Sequence, residues 1–303
     1  MSNVLSKGAL FPAELSSEIV NLVRGKSTLA RLSGTTPIPF VGKEVFTFNF
    51  DGEVAIVAEN AAKSNGGASV TPVSMTPVKV EYGMRVSDEF MYAADEKRIE
   101  ILRAFNEGFA KRLARGLDIM AMHGLNPRTG DAALSLSGKS LDAVVTQKVA
   151  YNASTPQANV TDAIAMVEAN EHEVNGLAAS PAFKTALASL TKSSGGTELL
   201  FPELGWGATV GNLNGLPFDA NSTVSFHSGD DRAIVGNFAD FFKWGIAKEI
   251  PVEVIEYGNP DNDADAGDLK GHNQVYLRGE AYIGWGILDP NAFAIITAGQ
   301  ISG

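Results

Sequence analysis

The stretch from Asp95 to Gly124 carries a sustained 3.6-residue period, and it limits the possible folds more than any other part of the chain. Apolar residues recur at Ile99, Leu102, Phe105, Phe109, Leu113, Leu117 and Met120, in steps of three or four. That spacing predicts one apolar stripe on a long amphipathic helix. The opposite face carries Arg98, Glu100, Arg103, Glu107, Lys111, Arg112 and Arg115, with Glu107 and Lys111 spaced for an i,i+4 ion pair. Gly124 and then Asn126-Pro127 supply the stop signal. At 1.5 Å per residue the helix is a rod of roughly 45 Å. A rod of that length, well beyond the average globular helix, serves as a backbone against which other elements lie.

The 303 residues suffice for one large or two ordinary domains with real cores. The 35 acidic residues outnumber the 24 basic ones and give a net charge of −11. Such a chain repels phosphate, which argues against direct nucleic-acid recognition as its main task. It is compatible with a wall that encloses nucleic acid without gripping it. Cysteine is absent, so disulfides and thiolate metal sites are excluded. The opening residues lack the apolar core of a signal peptide, and no run of about 18 apolar residues follows; a soluble protein made in a cytoplasm is expected.

Ahead of the long helix, Leu15, Ile19, Leu22 and Val23 predict a short helix with one apolar face, which must dock on something else. Gly25-Lys26-Ser27-Thr28 resembles the end of a phosphate-binding loop, but Val20 stands where the first glycine is required and no strand precedes it. From Thr35 the period becomes two. Phe46, Phe48 and Phe50 alternate with Val45, Thr47 and Asn49, a small polar tip follows over 58–67, and Val70 to Val86 return with alternating apolar residues. The pattern predicts a long two-stranded excursion. A hairpin of this kind is barely stable alone and leans on another molecule or domain.

Beyond the long helix the chain reads as an α/β block. Thr161 or Asp162 is placed to cap a helix, Ser180-Pro181 opens another, and Leu213-Asn214-Gly215-Leu216-Pro217 is a turn into a strand. Strands are expected at 233–238, 241–246, 252–255, 274–284 and 293–297, with an acidic insertion at 257–271.

The order of these parts resembles the major capsid proteins of tailed double-stranded DNA phages, with the Hong Kong 97-type capsid fold. The resemblance rests on Val57 to Lys63 before the tip, Val86-Ser87-Asp88-Glu89-Phe90, the turn at 213–217, and Asp289-Pro290-Asn291-Ala292-Phe293. It implies an α+β subunit. Residues 1–34 would form an N-terminal arm and helix. Residues 35–130 would begin the peripheral (P) domain, with the hairpin or E-loop at about 45–86 and the spine helix at about 95–124. Residues 131–236 would form the axial (A) domain, 237–286 the returning P-domain strands, and 287–303 a segment returning to the A domain. It also implies self-assembly as hexamers and pentamers into an icosahedral virion shell around double-stranded DNA, after assembly in the host cytoplasm. The partners would be its own copies, a portal protein and a scaffolding protein encoded separately. Inter-subunit contacts would use Glu59, Asn60, Lys63, Gly66 and Gly67 of the E-loop, and Arg98, Arg103, Lys111 and Arg115 of the spine. An encapsulin-like compartment is the alternative with the same fold, and an unrelated α+β enzyme is the third class.

Catalytic, metal and cofactor sites find little support in the sequence. His123, His172, His227 and His272 are scattered, with no second histidine at i+3 or i+4, and read as surface or structural residues. The acidic run Asp261 to Asp268 fails an EF-hand test, because Ala266 and His272 stand where Gly and Glu are required. Phe241, Phe242 and Trp244 read as core or interface anchors.

Overall fold

The computed structural model describes residues 21–51, 53–59, 66–92, 95–193, 196–227 and 230–299. The first part of the predicted arm helix, with Leu15 and Ile19, lies outside the described residues; 21–24 are helical. A short helix α1 (Thr28–Leu32) follows, capped by Ser27, whose hydroxyl accepts from the Ala30 N–H at 3.0 Å.

The excursion is shorter than its pattern suggests. Strands β1 (Lys43–Asp51) and β2 (Gly67–Met75) pair antiparallel, from Lys43 opposite Met75 to Asp51 opposite Gly67. The chain then breaks at Thr76-Pro77, where proline cannot donate a ladder hydrogen bond. The next strand, β3 (Val78–Ser87), joins a different sheet. Alternation continues across the break, so two strands of two sheets read as a single run. Met75 is fully buried and anchors the base of the hairpin; a Cβ built on Gly286 would lie 2.5 Å from its Cγ.

After the short helix α2 (Glu89–Tyr92) comes the spine helix α3 (Asp95–His123). It ends as the sequence predicts. Gly124 sits at φ +69°, and its N–H bonds to the Met120 carbonyl at 3.0 Å. Leu102, Phe105, Phe109, Leu113, Leu117 and Met120 are buried, whereas Ile99, the first of the stripe, is exposed. Toward its C-terminus the helix passes into the interior, and residues 116–122 are buried on every side.

The α/β block follows with α4 (Leu141–Val144), β4 (Lys148–Ala150), α5 (Pro156–Glu168), β5 (Gly176–Ala179) and α6 (Pro181–Ala188). Helix α5 begins at Pro156, not at the expected Thr161 or Asp162, because proline at the first helical position is already set for the helix. Ser180 caps α6 as predicted, accepting from the Phe183 N–H at 3.2 Å. Strands β6 (Asn212–Leu213) and β7 (Leu216–Ala220) flank Asn214 and Gly215, both at positive φ, as a tight hairpin turn requires. Then come β8 (Asp231–Gly236), α7 (Phe238–Phe241), β9 (Phe242–Ile255), β10 (Gln274–Ile287) and β11 (Phe293–Thr297).

Two larger sheets result. One has the order β3-β10-β9, and the other β4-β11-β8-β5-β7-β6. The last strand, β11, therefore lies between β4 and β8, inside the sheet of the α/β block. The spine packs on the three-stranded sheet through Leu102, Phe105, Phe109, Val275, Leu277 and Ala281. Phe242 and Trp244 are fully buried in the same core, which agrees with their reading as anchors. A second core, with Val149, Val167, Phe183, Phe218, Val235 and Ile296, lies within the α/β block. Close backbone approach joins the N-terminal segment to β9. Thr36 donates to the Trp244 carbonyl at 2.7 Å, and a Cβ on Gly245 would meet the Thr36 carbonyl at 2.0 Å. No described helix is long and apolar enough to cross a membrane.

Candidate assembly interface

The hairpin exposes what a folded chain ordinarily hides. Val54 and Ile56, beyond the end of β1, are 96% and 103% exposed, and Phe46 and Val70 are exposed on the paired strands. These apolar groups have no cover among the described residues, the mark of an interaction surface. Glu59 and Gly66 are exposed, and Gly67 opens β2 opposite Asp51. Asn60 and Lys63 lie outside the described residues.

A groove of about 760 Å³ runs between the spine and β3. Tyr82, Met84, Ile101 and Phe105 form its apolar floor, and Lys111 and Arg112 are among its basic wall. Arg115 also borders the groove but is engaged within its own subunit: its guanidinium donates to Ser222 Oγ at 3.1 Å and lies 5.4 Å from the Phe226 ring centroid. The spine cations thus divide. Arg103 and Lys111 are exposed, Arg115 is partly committed, and the Arg98 side chain lies outside the description. The expected Glu107–Lys111 ion pair is absent among the described residues, and Lys111 lines the groove.

Asp118, an acidic residue of the cation-rich spine, is 0% exposed. Its carboxylate accepts from Ser27 Oγ at 2.5 Å, the Thr28 N–H at 3.0 Å, the Leu29 N–H at 3.1 Å and Thr223 Oγ1 at 3.0 Å. Burial raises its pKa to about 6 even though those four donors favour the charged form. The N-terminus of α1, rejected as a phosphate site, therefore receives the protein's own carboxylate. A second carboxylate on β7, Asp219, accepts from Thr28 Oγ1 and from Arg31 Nη1, both at 2.5 Å. The segment 27–31 is thereby fastened to the spine helix and to the six-stranded sheet at once.

The acidic insertion is closed from inside by a cation of the chain itself. Arg85 donates to Asp261 at 2.6 and 2.8 Å, to Asn259 at 2.8 Å, to Gln274 at 3.2 Å and to the carbonyls of Ala266 and Gly267. The guanidinium lowers the Asp261 pKa to about 2. This arrangement supplies the positive charge that the failed calcium-loop pattern lacks.

His123, at the end of the spine, meets Asp142 and Asp231. Its Nδ1 lies 2.7 Å from Asp142 Oδ2 and 3.7 Å from Asp231 Oδ2, and its Nε2 lies 2.8 Å from the Thr223 carbonyl. Burial and the neighbouring Asp142 charge push Asp231 up to about 7. Burial, the largest single influence on His123, opposes its charge, but the Asp142 hydrogen bond and charge, the Thr223 carbonyl and the Asp231 charge together outweigh it and raise the pKa. His172 bonds Asp289 at 3.1 Å and stacks edge-on against Phe241, a structural role. The sequence conceals the His123 cluster because its members are far apart in the chain and meet only through the fold.

Comparison with known proteins agrees with this architecture. The sequence pattern described as the phage capsid family matches residues 7–298. A solved structure from Mycobacterium phage Ogopogo is 30% identical, with 90% of this chain and 92% of that chain covered and a TM-score of 0.76. One from Gordonia phage Cozz is 25% identical, with 91% and 87% covered and a TM-score of 0.69. A structure titled as the capsid of an empty GTA particle computed with C5 symmetry shares the fold at a TM-score of 0.60, with 13% identity and 91% and 90% covered. A search of curated proteins gives no match. The spine helix, hairpin and two sheets are thus those of the Hong Kong 97-type capsid fold, and the chain belongs to the phage capsid family as a structural subunit of a tailed-phage virion shell.

Proposed function

We propose that the subunit builds its shell as hexamers and pentamers, with each hairpin lying across a neighbouring copy. The observation that carries this reading is the exposure of Val54 and Ile56, which no described residue covers. The groove between β3 and the spine offers matching chemistry, with an apolar floor for these side chains and basic walls for Glu53 and Glu59 beside them. A curved shell distributes such heterologous contacts among many copies and closes them by symmetry. The contacts expected from Glu59, Asn60, Lys63, Gly66 and Gly67, and from Arg98, Arg103 and Lys111, belong to this interface. Deleting 58–70 tests it: the subunit remains folded and forms no stable shells. Normal particles from the deletion would remove the hairpin from assembly.

The shell encloses double-stranded DNA without a sequence-specific site. Duplex affinity comes chiefly from neutralised phosphates, and 35 acidic residues against 24 basic ones oppose it. Anisotropy titration of dissociated subunits at about 150 mM salt tests this, since screening there limits charge effects to roughly 8 Å. Weak binding is expected, and tight sequence-dependent binding contradicts it. A portal protein and a separate scaffolding protein complete the proposed set of partners, with assembly in the host cytoplasm. The capsid family match and the phage relatives favour a structural subunit over the enzyme reading, and a virion over an encapsulin-like compartment.

A further inference from the structure

His123, Asp142 and Asp231 take no part in the proposed interface, yet three separate elements bring them together. His123 is the last residue of α3, Asp142 lies in the first turn of α4, and Asp231 is the first residue of β8. The Thr223 carbonyl lies 2.8 Å from His123 Nε2, and a carbonyl can only accept. Nε2 therefore carries a proton, and in the neutral ring Nδ1 presents a lone pair. That lone pair faces two carboxylates, at 2.7 and 3.7 Å. Three bases converging in this way are relieved by a positive species among them, either a proton on the ring or shared by the carboxylates, or a metal ion.

The geometry suits a metal ion. One ligand atom from each of the three residues lies within 4.8 Å of the others. Zinc–ligand bonds of about 2.0–2.2 Å imply tetrahedral edges of roughly 3.3–3.6 Å; the Asp231 oxygen, 3.7 Å from Nδ1, lies near that range, whereas the Asp142 oxygen, at a hydrogen-bond distance of 2.7 Å, would move outward as an ion replaced the proton between them. A ligating imidazole almost always donates its other N–H to a carbonyl or carboxylate, as His123 does to Thr223. Asp142 Oδ1 is buried with no hydrogen-bond partner among the described residues, so an acceptor remains unused. The side chains of His123 and Asp231 are 6% and 14% exposed, whereas that of Asp142 is 33% exposed and leaves a path for entry.

We propose that His123 Nδ1, Asp142 and Asp231 form a zinc site, with a water molecule as the fourth ligand. One imidazole and two carboxylates favour zinc over magnesium, which takes oxygen ligands in an octahedron. The ion would tie the end of the spine helix to the six-stranded sheet, at the joint between the two cores. The competing occupant is a proton on Nδ1, which pairs with Asp142 and needs no metal.

Equilibrium dialysis of the full-length chain against zinc chloride, read by elemental analysis, separates the two. Expected is one zinc per subunit, a rise in melting temperature with zinc but not with equimolar magnesium, and at least tenfold weaker binding in both Asp142→Asn and Asp231→Asn. If Asp231→Asn does not fold, Asp142→Asn, altered at a partly exposed position, decides alone. Absence of retained zinc in the wild-type chain overturns the proposal. So does stoichiometric zinc that both variants hold undiminished, since the ion would then sit on other histidines.

Discussion

The hairpin and the joint beneath the spine invert each other. Between β1 and β2, the apolar side chains of Val54 and Ile56 stand in solvent. At the joint, Asp118, Ser27, Thr28 and Thr223 are all fully buried. In a chain that functions alone both arrangements would be costly, since exposed apolar patches attract partners and a buried carboxylate loses its hydration. The joint offsets that loss inside the subunit with four donors. In the proposed shell the hairpin defers its own burial to another copy. The contrast separates what makes the subunit fold from what makes it assemble, and each half is open to attack.

The largest expected effect falls on assembly. Replacing Val54 and Ile56 together by aspartate should reduce shell yield at least a hundredfold, as counted by electron microscopy. The melting temperature of the free subunit should hardly move, because exposed substitutions stay within about ±0.5 kcal/mol. A large loss of subunit stability would mean that the hairpin has hidden intramolecular contacts. At the joint the pattern reverses. Asp118→Ala strands two backbone N–H groups and two hydroxyls and should cost about 3–5 kcal/mol in denaturant unfolding. Asp118→Asn keeps one oxygen but turns an NH₂ group toward fixed donors, and should cost less, about 1–3 kcal/mol.

Titration sharpens the joint further. The Asp118 pKa of about 6 in the folded subunit exceeds its ordinary unfolded value near 4. The native state therefore binds the extra proton between those values. From this group, stability rises as pH falls from about 6 to about 4, by at most about 3 kcal/mol, and is lost again as pH rises through 6. The test is the difference in unfolding free energy between wild type and Asp118→Asn across that range. A difference independent of pH would show that the four donors, not burial, dominate the carboxylate. The smallest effect concerns the acidic insertion. Arg85→Ala should speed amide exchange across 257–271 and leave assembly and the melting temperature nearly unchanged.

Periodicity made the large elements legible. The spine helix extends from Asp95 to His123 with its glycine stop, and Ser180 caps its helix where the sequence places it. Local signals failed where a decision depended on distant partners. Val78 to Val86 continue the hairpin's alternation but pair with β10, a choice made by residues nearly two hundred positions away. Gly176–Ala179 is too small and uniform to announce a strand, and only its position between β7 and β8 makes it one. Asp118 was hidden for the same reason. Ala114 and Ala121, one turn to either side, are fully buried, and this small-residue face was the available clue. The hairpin's exposed apolar residues, on which the proposed assembly surface rests, were legible as an element that cannot bury them alone. The His123 cluster was not, since its members come from three segments without a shared motif.

The absence of cysteine permits a direct measurement of the central claim. Ile56→Cys introduces a single thiol at a side chain that is fully exposed in the isolated subunit. Its rate of alkylation by a small maleimide should match that of a free thiol in dissociated subunits and fall at least tenfold in assembled shells. Equal rates in the two states would show that no neighbouring copy covers the hairpin, and would contradict the account.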